Sequence, residues 1–238
     1  RTKMKKLMKI RGDKNFTTWR GGDVSRLESL TDAVFAIAIT LLIVTHDVPR
    51  DYEHFRSVMW GFCGFAVTFF ALIAIWYNTF KFHRRFGMED GYTVFLSATL
   101  IFVVLFYIYP LKFMAQIIIN TMVLKDGFGV EFDVGYVGIV DVSHLFLVYG
   151  IGGFFIWSIL GLMYLHAYNK REFLELDNNE LLITTNSIVA NFIVSFIAII
   201  SIIFVILKME YLSGWIYFSI SPLIFIAIFI KEKYFKLV

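Results

Sequence analysis

The stretch SRLESLTDAVFAIAITLLIV, residues 25–44, opens on charged and hydroxyl side chains and closes on an apolar run. Ser25 and Glu28 stand at the spacing with which a hydroxyl and a carboxylate cap a helix start, so a helix is predicted from Arg26. At ~1.5 Å per residue Asp32 then lies about 9 Å up the axis, beyond the first turn in which the helix dipole favours a carboxylate. A charge at that depth needs a partner, because an unpaired one inside a helical bundle is expensive. Ser29, Arg26 or a residue of the second apolar run are the expected sources. At ~100° per residue Ile37, Leu41 and Val44 fall within about 40° of one another as a narrow stripe flanked by Thr40 and Ala33. Asp32 points some ~140° away, so it is expected to anchor a neighbouring helix, the alternative being a direct ion ligand. Spacing alone makes the stripe ordinary packing.

The rest of the chain has the same character. Apolar residues make up 58% of its 238 positions and aromatics 18%, a surplus over the roughly half expected of a soluble domain. The surplus comes in six runs, Leu27–Thr45, Ser57–Tyr77, Tyr92–Ala115, His144–Tyr168, Leu181–Leu207 and Leu212–Ile230. Each has about the length that crosses a bilayer core of ~30 Å. Such runs must be helical, since lipid leaves backbone groups no partner outside their own segment. The prediction is an all-α integral membrane protein of six transmembrane helices. Residues 1–25 form a basic N-terminal segment, 26–231 the transmembrane domain and 232–238 a tail. The connector Gln116–Ser143, with Asp126, Glu131, Asp133 and Asp141, reads as an external loop. The fifth run starts with Thr184, Thr185, Asn186, Ser187 and Asn191, either for interhelical hydrogen bonds or as a second pore-lining surface.

Charge sets the orientation. The N-terminus, the 78–90 connector, the 169–180 connector and the tail carry seventeen basic residues on one side. The other side has Arg50, Arg56, Lys125, Lys208 and Lys112. By the positive-inside rule both termini are cytoplasmic, and the cell membrane is the expected location. No cleavable signal peptide is visible before the first run. The basic N-terminus has no interleaved aromatic platform, which argues against nucleic-acid binding. The single cysteine, Cys63, excludes a disulfide within the chain.

Arg26-Leu-Glu-Ser-Leu30-Thr31-Asp32, followed by Ala-Val-Phe-Ala-Ile, resembles the Arg-x-x-x-Phe-Ser-Asp signature that opens the first helix of the transmembrane protein 175 channel family. These are endosomal and lysosomal potassium channels and their bacterial homologues. The six-span layout fits one family repeat, so the resemblance covers nearly the whole chain. Leu30 stands for the family Phe and Thr31 for Ser, keeping size and hydroxyl. Trp76 matches a family Trp near the inner end of the second helix, and Asn78 and His83 are the candidates for the histidine that accompanies it. The resemblance implies a central pore lined by first helices, without a Thr-Val-Gly-Tyr-Gly carbonyl filter, a motif this sequence lacks. It makes Ile37 the narrowest hydrophobic ring, Leu41 and Val44 further rings, and Thr40 the hydroxyl layer tied to selectivity. One repeat per chain implies a homotetramer in the lipid bilayer, passing monovalent cations. No cofactor is expected besides the permeant potassium ions.

Two other classes fit less well. An enzyme would need a site, yet the histidines at 46, 54, 83, 144 and 166 share no metal-ligand spacing, and no nucleophile motif or phosphate loop occurs. Neither a catalytic nor a metal site is expected. A secondary transporter is the alternative, and it predicts inverted repeats with helices broken in matching places. Pro110 and Pro222 do not correspond in that way.

Overall fold

The structure, a computed structural model, describes residues 18–44, 51–119 and 139–235. The described elements are helices α1 (Arg26–Val44), α2 (Tyr52–Phe86), α3 (Gly91–Ile119), α4 (Ile139–Asn169), α5 (Asn178–Ile206), α6 (Glu210–Trp215) and α7 (Ile220–Phe235), with a 3-10 turn at Ile216–Ser219. No strand occurs among them. The stretches Phe65–Phe86, Gly91–Phe113, His144–Asn169, Asn178–Ile206 and Tyr211–Lys231 are long and apolar enough to cross a membrane. Helix α1, with 19 residues, extends about 28 Å, close to the thickness of a bilayer core.

The helices form a chain of neighbours. The α4–α5 pair shares the most extensive face, α3 lies on α4, α2 on α3, and α1 against both α2 and α3. Leu72, Phe82, Phe86, Leu100, Leu160 and Tyr164 close the core between α2, α3 and α4. The outside is as apolar as the inside. Phe70, Phe102, Phe106 and Phe225 expose between 68% and 72% of their surface, which water would not tolerate on this scale but lipid does.

Glycine sets how closely α3 and α4 approach. A Cβ on Gly152 would fall within the ring of Tyr107, whose hydroxyl donates to the Tyr149 carbonyl at 3.0 Å. Both Tyr107 and Tyr149 are buried, leaving the ring little room to move. Gly152→Ala should therefore destabilise the bundle by about 1–3 kcal/mol. A thermal midpoint in detergent equal to that of the parent protein would show that the ring can yield.

The second helix continues beyond the end of the expected run. It was expected to end at Tyr77, but α2 continues to Phe86, and the 78–90 connector shrinks to residues 87–90. The basic residues beyond Tyr77 find partners on the helix itself. Lys81 sits over the Tyr77 ring at 4.6 Å, and Arg84 over Phe80 at 5.8 Å. Cations in the last turn also suit the negative end of the dipole. Gly87, at φ +59°, then ends the helix, its N–H donating to the His83 carbonyl at 2.8 Å.

The last span is not one straight helix. The expected run Leu212–Ile230 divides into α6, the 3-10 turn and α7. Pro222 explains the break, because it lacks an N–H for the Phe218 carbonyl and its ring crowds that group. Ser219 donates to the Ile216 carbonyl at 2.6 Å, and Ser201 of α5 donates to the Ser213 carbonyl at 3.0 Å. Within the expected connector α3 runs to Ile119 and α4 starts at Ile139, and residues 120–138 lie outside the described residues, as do the side chains of Asp126, Glu131, Asp133 and Asp141.

The polar start of α5 is used between helices. Lys231 of α7 bonds Thr185 and also Asn186, the latter at 2.8 Å. These contacts, with those of Arg20 described below, gather the N-terminal segment, the end of α2, the α4–α5 corner and the end of α7 at one end of the bundle. That end is the one the charge pattern groups together.

Asp90 latches the same end, outside the spans. It accepts from Thr93 Oγ1 at 2.7 Å, lies 2.8 Å from His166 Nε2 and 3.3 Å from Lys170 Nζ. Burial works against its charge, but the hydrogen bonds from Thr93 and His166, the charge of His166 and the bond from Lys170 bring its carboxyl down to about 2. A folded value below the ordinary 3.8 means that this stabilisation is complete above that pH and is lost as pH falls toward 2. The effect should be at most about 1 kcal/mol, since the side chain is 33% exposed and water screens the pair. Thermal midpoints measured down this window should fall more steeply for the parent than for Asp90→Asn. Parallel acid profiles would remove Asp90 as the source.

Candidate functional site

Helix α1 begins where the cap predicts. Ser25 Oγ accepts from the Glu28 N–H at 3.1 Å. The Glu28 side chain bonds back to the Ser25 backbone, the reciprocal half of the box, and also reaches α2. Its Oε1 lies 2.9 Å from Arg84 Nε, an ion pair whose N–H direction falls outside hydrogen-bond geometry. Arg84 also donates to the Gly22 carbonyl at 3.1 Å, so one guanidinium holds both the start of α1 and the segment before it.

One turn on, Trp76 of α2 donates its indole N–H to Asp32 Oδ1 at 2.7 Å. Of the expected partners, the second run supplies this hydrogen bond, while Ser29 Oγ turns to the Ser25 carbonyl at 2.9 Å. Trp76 is held in turn by stacking on Phe80 at 5.5 Å, and Trp19 meets Phe80 edge-on at 6.3 Å. Thr31 is buried and donates to the Leu27 carbonyl at 2.8 Å. Arg26 and Leu30 stand exposed at the start of the helix. Of the two histidine candidates, His83 is buried, and Asn78 is half-buried with its amide on the Ala74 carbonyl at 3.1 Å.

The two sides of α1 differ sharply. Leu27, Glu28, Thr31, Phe35 and Ala38 face the bundle, and Phe35 and Ala38 are almost completely covered. Ala33, Ala36, Ile37, Thr40 and Leu41 face outward, with Ile37 at 56% and Leu41 at 38% exposure. Thr40 is on this open side, its hydroxyl donating to the Ala36 carbonyl at 2.9 Å. Val44 belongs to the helix, but its side chain is outside the described residues. The stripe is therefore not packed against its own chain at Ile37 and Leu41, as ordinary core residues would be.

The sequence reading missed Arg84 as the partner of Glu28. Its only signal was a basic residue in a segment taken for a connector.

The class that fold and site define is a multi-span helical membrane protein whose first helix is anchored by buried polar contacts on one side and unpartnered on the other. A sequence profile of the endosomal/lysosomal potassium channel TMEM175 family matches residues 26–107, from the start of α1 into α3. A protein named potassium channel from Marivirga tractuosa is 34% identical over 224 residues, covering 89% of each chain. The structure superposes with a TM-score of 0.82 on a crystal structure of a variant of the potassium channel MtTMEM175 bound to a nanobody–MBP fusion. That match has 32% identity and covers 93% of this chain and 99% of the other. A lysosomal potassium-selective channel TMEM175 homologue from Chamaesiphon minutus matches with a TM-score of 0.51 at 17% identity, over 85% and 96% of the two chains, and bears on the fold alone. The chain belongs to the TMEM175 family.

Proposed function

We propose that this chain is one subunit of a potassium-permeable channel that passes cations down their gradient. Four copies surround a central axis, with α1 of each lining the path. All six spans cross the cell membrane and both termini are cytoplasmic. Ile37 forms the tightest ring, Leu41 and Val44 further apolar rings, and Thr40 the hydroxyl layer that bears on selectivity. No carbonyl-type filter takes part, and the work is permeation rather than catalysis. The reading rests on one observation above others: α1 leaves Ile37, Thr40 and Leu41 open on a single side while its opposite side is packed and tethered.

The physics suits a gate of this kind. A narrow ring of apolar side chains expels water and stops ions, and modest separation of the helices wets it. Signature residues then act through position. Asp32 and Trp76 hold α1 at a set rotation, which keeps Ile37 aimed at the axis and Asp32 away from it.

A single α1 cannot enclose a path, and oligomers are usually closed and cyclic. Native mass spectrometry in detergent should give four subunits, and a sole monomeric species would defeat the pore. The direct test is recording from purified protein in a planar bilayer under a potassium gradient. Unitary currents reversing toward the potassium equilibrium potential are expected. Saturating flux at transporter rates, without unitary events, would transfer the chain to the secondary-transporter class.

A further inference from the structure

The segment before α1 makes contacts that neither the helix anchors nor the open face require. Residues 18–22 cross the end of α2 and reach α5. Arg20 and Gly21 donate their backbone N–H groups to the carbonyls of Arg85 and Arg84, at 3.3 and 3.1 Å. At its far edge Thr18 N–H donates to Glu180 Oε1 at 2.8 Å, and Arg20 Nη2 pairs with Glu180 Oε2 at 2.7 Å. Arg20 Nε donates to the Leu174 carbonyl at 2.5 Å, and the same Nη2 also donates to the Glu175 carbonyl at 2.9 Å.

Glu180 is an unusual place for a surface ion pair. Its side chain is only 1% exposed, and it also completes the capping box of α5 with Asp177. A buried carboxylate gathering a capping contact, a strap N–H and an arginine is a built clamp, and removing one member leaves the others unmatched. The crossing itself is shaped for close approach. A Cβ on Gly21 would stand 2.7 Å from the His83 carbonyl oxygen, and one on Gly87 2.9 Å from the Arg20 carbonyl oxygen. Neither glycine could gain a side chain without moving the strap.

The strap leads within four residues into the first turn of α1, where Arg84 holds Gly22 and Glu28 together. Movement of the α4–α5 corner is thus tied mechanically to the start of α1. We propose that Arg20 is a positioning residue for the gate: clamped on Glu180, it sets the cytoplasmic end of α1 and opposes the outward movement that wets the Ile37 ring. This inference rests on reading α1 as the pore helix. It makes gating depend on a contact far from the ion path, while permeation through the open pore stays independent of it.

The test is single-channel recording of tetrameric parent, Arg20→Ala, Glu180→Gln, Arg20→Ala/Glu180→Gln and Gly21→Ala proteins. Each single variant should raise open probability several-fold, with unitary conductance and reversal potential unchanged. The double variant should do no more than the larger single one, because both remove the same clamp. Glu180→Gln keeps an acceptor for the α5 cap, and Gly21→Ala shifts the strap without touching a charge. Either therefore reads the clamp if Arg20→Ala does not assemble. Parent currents with unchanged or reduced open probability in the variants that assemble would overturn the clamp alone, as would failure of all of them to form tetramers. Altered unitary conductance would also overturn it, by making Arg20 a permeation residue. Absence of current in the parent protein would overturn the pore reading and the gating role with it.

Discussion

Ile37→Asn should raise the resting current several-fold and lower discrimination between potassium and sodium. Four Ile37 side chains at the axis would present only methyl and methylene groups, so water enters the ring only when the helices separate. An amide at the same place offers hydrogen bonds to water and holds the ring wet. The barrier to stripping or squeezing the hydration shell of an ion then falls for both cations. Thr40→Ala should act in another way, changing the reversal potential more than the resting current, because it removes hydroxyls without widening the tightest point. The exposure of Ile37, 56% in the single chain, separates this outcome from a folding defect. A polar substitution in a packed core costs several kcal/mol, whereas one on an open face leaves the subunit fold nearly intact. Recordings from well-folded tetrameric Ile37→Asn with unchanged conductance and reversal potential would take Ile37, and the assignment, off the ion path.

Asp32→Ala and Trp76→Phe should each lower the thermal stability of the tetramer. The 2.7 Å bond between Trp76 Nε1 and Asp32 is a charge-assisted contact between α1 and α2. Removing the indole N–H leaves a half-buried carboxylate without that donor, at a cost of about 1–3 kcal/mol. Removing the carboxylate leaves the indole N–H unmatched. The double variant should lose less than the sum of the two, since one bond cannot be broken twice. Unchanged tetramer stability in Asp32→Ala together with an altered ion preference would turn Asp32 into a permeation residue.

How much of this was legible depends on the range over which each feature acts. The cap of α1 is local, and Ser25 and Glu28 announced it at three-residue spacing. Spacing could not show that the same carboxylate also pairs with Arg84, 56 positions away from Glu28. The need for an Asp32 partner followed from the cost of a lone charge. The choice of Trp76 over Ser29 or Arg26 depended on how α2 lies against α1. The helix of the second run outlasts the run, because basic side chains end an apolar stretch without ending a helix. In the structure Lys81 and Arg84 remain helical, on aromatic rings and beside Glu28. The strap of residues 18–22 had no sequence signature beyond a basic stretch, since its backbone bonds carry no side-chain pattern and the Arg20 side chain meets partners more than 150 positions away.

By itself the sequence determined that this is a helical membrane protein, that its long apolar runs form helices, and which residues share the stripe on α1. Those properties follow from composition and from a helical period that is the same in every context. Only the tertiary structure decided which side of α1 is open, that Trp76 is the donor to Asp32, and that Arg20 reaches Glu180. Each of these joins residues far apart in the chain, and their meeting is set by the packing of whole helices rather than by any local preference.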